Sequence, residues 1–114
     1  MQQKTFKKTI LIDLDGVLNE YVGKYDTNFI PKPKNGVDKF LENLYLDFDL
    51  RLFTTRNKLL ASKWLLENNL DKYFSDITNI KELSWLIIDD RCLKFEGNYE
   101  DLIQKINNFK AWYK

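Results

Sequence analysis

No histidine occurs among the 114 residues, so proton transfer near neutral pH falls to Asp, Glu, Lys, Tyr or Cys. A Ser-His-Asp triad and a histidine metal site are both excluded. Cysteine occurs once, at Cys92, which rules out an intrachain disulfide and reads as a small buried residue. Excess charge is missing too. With 18 basic and 17 acidic residues the net charge is +1, which leaves no global field to draw the chain to nucleic acid or to a membrane. The longest apolar run, residues 85–88, is far too short to cross a bilayer, so no membrane partner is expected. The opening MQQKTFKK lacks the apolar stretch of a signal peptide, which points to a cytoplasmic location. Internal repeats and low-complexity linkers are also lacking.

What is present suits one folded unit. Apolar residues make up 44% and aromatics 15%, enough to fill a core, and the length has room for a single domain over residues 1–114. Lys8-Thr9-Ile10-Leu11-Ile12-Asp13 is an apolar run closing on an acid, the pattern of a central parallel strand buried on both faces. Residues 16–35 carry Gly, Asn, Pro, Tyr and Lys without periodicity and read as an irregular excursion or loose hairpin. Val37, Phe40, Leu41, Leu44 and Phe48 recur at helical spacing behind Asn35-Gly36, and residues 49–54 form a second strand. A second helix is expected over residues 59–70, ending near Asn68-Asn69, then a brief strand at 75–78 and a further strand at 85–89. Tyr99, Leu102, Ile103, Ile106, Phe109 and Tyr113 keep helical spacing behind Asn98 as N-cap. Alternating strands and helices joined by right-handed crossovers predict an α/β, doubly wound, three-layer Rossmann-like domain with a central parallel sheet.

Ligands of such sheets bind outside the C-terminal ends of the strands, and that is where the polar residues fall. Asp13 and Asp15 end the first strand, Thr54 the second, and Asp89 and Asp90 the last. Four carboxylates crowded together raise one another's pKa unless a cation neutralises them, and oxygen ligands suit the hard ion Mg2+. Magnesium is therefore the expected cofactor.

These residues resemble the haloacid dehalogenase (HAD) superfamily. Asp13-Leu14-Asp15-Gly16-Val17 behind the first strand is similar to its Asp-x-Asp-Gly first motif, and Leu52-Phe53-Thr54 to its second. Lys81, shortly before the last strand, is similar to its third, and Ile87-Ile88-Asp89-Asp90 to its fourth. The resemblance implies a phosphohydrolase in which Asp13 attacks phosphorus to form an aspartyl-phosphate, while Asp15 protonates the leaving group and then activates water. It implies that Gly16 lets the chain turn with backbone N–H groups near the phosphoryl oxygens, and that Thr54 and Lys81 stabilise the transferring group. The metal would be held by the Asp13 side chain, the Asp15 backbone carbonyl and Asp89, with Asp90 ligating directly, acting through water or orienting Lys81. Thr55 can replace Thr54, Lys58 can replace Lys81, and Arg56 and Arg91 serve either as phosphate contacts or in salt bridges. Cys92 aside, Trp64, Trp85 and Trp112 read as core or subunit-contact residues.

Many HAD proteins carry a cap domain, but neither residues 16–35 nor residues 54–81 can hold one, so the chain reads as capless. Selectivity then falls to the excursion, to a neighbouring subunit of a homo-oligomer covering the open site, or to a large substrate. Tyr21, Lys24, Tyr25, Phe29, Lys32 and Lys34 suit a phosphorylated partner, either a small molecule or a nucleotide or nucleic-acid end. Two other readings stand beside this one. A binding or regulatory module would keep the fold without turnover, and a phospho-accepting receiver domain would place its acceptor Asp on a later strand than its acidic pair, the reverse of the order here.

Overall fold

The computed structural model describes residues 6–110. Its strands are β1 (Lys8–Asp13), β2 (Phe48–Phe53), β3 (Asp76–Thr78) and β4 (Leu86–Ile88), and its helices α1 (Val37–Tyr45), α2 (Lys58–Glu67) and α3 (Tyr99–Asn108), with one 3-10 turn at Asp71–Tyr73. All strand pairs are parallel and the order is β3-β2-β1-β4, which makes this an α/β fold with β1 inside the sheet. Ile10, Leu11 and Ile12 are buried as a strand flanked on both sides must be.

The chain steps from β1 to β2 to β3 in one direction, so right-handed crossovers put α1 and α2 on the same face. The core agrees. Alternate strand residues Ile10, Ile12, Leu50 and Leu52 pack with Val37 and Leu41 of α1 and Ala61, Trp64 and Leu65 of α2. Trp64 is thus a core residue, and its indole N–H donates to the Pro31 carbonyl at 3.1 Å. Alternation of elements alone predicts helices on both faces; the packed helices share one. The opposite face is crossed by residues 79–85 on their way to β4, where Glu82 pairs with Arg51 at 2.9 Å. α3 has the expected Asn98 cap, accepting from the backbone N–H of Glu100 and Asp101, but carries no buried residue.

Several expectations shift. Phe48 opens β2, paired with Lys8, instead of continuing α1, because the helix ends at Tyr45 and the chain turns through Leu46 and Asp47. α1 starts from Gly36 in the left-handed region at φ +85°, with no side-chain cap from Asn35. Trp85 precedes β4, half-exposed, stacked on Phe48 with ring centroids 5.5 Å apart and with Lys8 Nζ 4.6 Å from its ring. Cys92 is exposed, since the segment after β4 crosses no packed layer. Trp112 and Tyr113 lie outside the described residues.

Candidate active site

Register assembles the acidic cluster. β1 pairs with β4 through Ile12 and Ile88, so the next residues, Asp13 and Asp89, leave the sheet side by side. One oxygen from each of Asp13, Asp89 and Asp90 lies within 4.8 Å of the others. They open into a shallow depression of about 240 Å³ lined also by Asp15, Tyr21, Tyr25, Thr55 and Arg91. A larger cleft of about 450 Å³ at the opposite end of the strands brings Tyr45, Tyr73 and Lys72 together, but it has no such carboxylate group. Chemistry, and not size, marks the site.

Burial, followed by the negative charges of Asp89, Asp90 and Asp15, pushes the Asp13 carboxyl up from 3.8 to about 7, against a hydrogen bond from the Leu14 backbone. A carboxyl so placed keeps its proton far more readily than a free one, and the protonated form is a weak nucleophile. A hard cation shared by the three carboxylates would remove that penalty, and a donor set of carboxylate oxygens fits magnesium. The side chain of Asp15 is not in this group.

Asp15 is instead turned onto Arg56. The guanidinium Nε donates to both carboxylate oxygens, at 2.9 and 3.2 Å, and Nη2 donates to Oδ1 at 3.1 Å. Arg56 Nη1 donates to the Asp26 carbonyl at 2.7 Å, and the guanidinium carbon sits 4.4 Å from the Tyr25 ring centroid. Asp15 also accepts from Asn19 Nδ2 at 3.0 Å. Asn19 is fully buried, and its carbonyl takes the backbone N–H groups of both Gly16 and Tyr21 at 3.1 Å. It is the brace of the turn behind the first motif, and the sequence reading missed it. The available signal was a polar residue directly behind the apolar pair Val17-Leu18. Residues 16–35 form the expected loose hairpin, closed at its base by Glu20 N–H to Lys32 carbonyl and Lys34 N–H to Leu18 carbonyl, both 2.9 Å.

The other predicted residues divide. Thr55 lines the depression. Thr54 is buried beside it, its hydroxyl accepting the Arg56 backbone N–H at 3.1 Å, so the exposed hydroxyl at this strand end belongs to Thr55. Gly16 makes the expected turn, but its N–H does not face the depression as a free donor. Its N–H is taken by Asn19, its φ is +88°, and a Cβ there would collide with the Asp90 carboxylate. Arg56 as a phosphate contact is corrected to the salt-bridge alternative, because its side chain is buried and Nε, Nη1 and Nη2 each donate to Asp15 or to the Asp26 carbonyl. Lys81 does not line the depression: its Nζ lies 5.7 Å from the ring centroid of Phe53, the β2 residue paired with Asp13. Lys58 is not brought there either, and pairs with Asp76 at 3.6 Å. Arg91 is the cation lining the depression.

No helix among the described residues is long and apolar enough to cross a membrane. The chain matches no family model and no curated protein. A solved structure, that of a conserved protein from Bacteroides thetaiotaomicron, is similar to it with a TM-score of 0.59 and 20% identity, covering 94% of this chain and 95% of that one. A likeness at that identity establishes a shared fold and carries no activity.

Proposed function

We propose that the chain is a capless, HAD-type phosphohydrolase that uses Asp13 as nucleophile and magnesium as cofactor. One observation carries the reading: Asp13, Asp89 and Asp90 leave adjacent parallel strands with their carboxylate oxygens within 4.8 Å, in a depression open to solvent. Magnesium held by these three would neutralise the cluster and the phosphoryl oxygens. Asp13 then attacks phosphorus as a carboxylate and forms an aspartyl-phosphate. Asp15, on the wall of the same depression, exchanges the proton with the leaving group and later with water. Thr55 and Arg91 are the hydroxyl and cation nearest to hand for the phosphoryl oxygens. The doubly wound HAD arrangement and a cytoplasmic location belong to this proposal as well.

The test is hydrolysis of an aryl phosphate by the purified chain. Magnesium should be required, EDTA should abolish turnover, and Asp13→Asn should lower kcat at least about a hundredfold with the fold retained. Comparable activity in the variant, or full activity after exhaustive chelation, contradicts the reading.

A second reading, a HAD-fold binding or regulatory module without turnover, is favoured by Lys81 lying on Phe53 and Asp15 on Arg56. It predicts that magnesium raises the melting temperature by linkage while no phosphate ester is hydrolysed.

A further inference from the structure

Among the described residues Arg56 is the buried charged one, its side chain only 1% exposed. A guanidinium removed from water must have its charge compensated and its N–H groups bonded. Here the partners come from two places. Asp15 follows β1, and the Asp26 carbonyl and the Tyr25 ring belong to the tip of the excursion. The returning limb has its own anchors, since Ile30 is buried and the Pro31 carbonyl accepts from Trp64. The outgoing limb, residues 21–26, is held to the body at its far end by Arg56. The tip is a tight turn, with Asn28 N–H donating to Asp26 Oδ1 at 2.9 Å. Tyr25 has one ring face on the guanidinium and remains half-exposed in the wall of the depression.

Resting on the phosphohydrolase reading, we propose that Arg56 is the positioning residue that seats Tyr25 beside Asp15, so that this limb selects substrates with a planar leaving group. A ring held flat by a cation on one face offers the other for stacking, without the entropic cost of ordering a free loop. Lysine would not do the same, because its ammonium lacks the planar fork that grips a carboxylate and the flat face that stacks on a ring.

The test uses the full chain and two esters, naphthyl phosphate with a flat leaving group and glycerol phosphate without one. Tyr25→Ala should lower kcat/KM for naphthyl phosphate about tenfold, through KM, and leave glycerol phosphate within about twofold. Arg56→Gln should lower both, because Asp15 loses its partner, and naphthyl phosphate about tenfold further. In that background Tyr25→Ala should add nothing, the signature of two residues acting as one unit. Equal losses for both esters, or losses that multiply independently, overturn the proposal. Amide exchange provides an arm that needs no turnover: Arg56→Gln should speed exchange at residues 21–26 while β1 and β2 keep their protection, and unchanged exchange there overturns it. If the native chain hydrolyses neither ester, the phosphohydrolase reading fails, and exchange still decides whether Arg56 seats Tyr25. Should Arg56→Gln not fold, Tyr25→Ala decides alone, by whether its loss falls on the naphthyl ester.

Discussion

At the scale of single residues, the crowding of carboxylates around Asp13 costs stability. Asp13 is held near 7 in the folded chain and at 3.8 when its surroundings are lost, so the native state binds the extra proton between those values. The stability that Asp13 contributes to the metal-free protein is therefore fully present below the unfolded value and is lost as pH rises through about 7. In chelator, Asp13→Asn should flatten this part of the melting profile and stabilise the chain above pH 7 by roughly 1–2 kcal/mol, after allowance for solvent screening. A variant with the native slope would contradict the cluster's electrostatics. Gly16 gives a second prediction. Gly16→Ala forces a side chain into the left-handed region and into the Asp90 carboxylate, and should cost about 1–3 kcal/mol in denaturant unfolding and weaken magnesium binding. Unaltered magnesium affinity would mean that Asp90 does not need its observed place.

At the scale of elements, periodicity was a good guide wherever an element packs. β1, α2 and the cap of α3 lie where apolar spacing and polar punctuation put them, and the error at Phe48 comes from a helix and a strand meeting without a Gly or Pro between them. What spacing cannot say is whether an amphipathic face finds a partner. α3 has its apolar stripe, yet Ile103 and Ile106 stay 58% and 56% exposed, and Leu86 and Ile87 of β4 are exposed as well. A helix with no fully buried residue opens at lower cost than a core strand. Amides of α3 should then exchange much faster than those of β1 and β2 by hydrogen exchange, and protection equal to that of β1 would show that α3 is packed.

At the scale of the whole molecule, the strand ends carried the legible part of the site. Asp13, Asp15, Asp89 and Asp90 could be read from the chain because each follows an apolar run, and parallel pairing then brings such ends together. The orientation of their partners was not legible. Lys81 sits in a stretch with no periodicity, Arg56 gives no sign in sequence of being buried, and the bracing by Asn19 depends on a turn that only the folded chain makes. The central claim is that Asp13 carries the phosphoryl group. The most direct measurement is peptide mapping by mass spectrometry of Asp15→Asn, quenched in acid after incubation with an aryl phosphate and magnesium, since loss of the base should slow release of the intermediate. The account predicts a phosphoryl group on Asp13, absent in Asp13→Asn; phosphate released with Asp13 unmodified at every quench time, or a phosphoryl group on another residue, would contradict it.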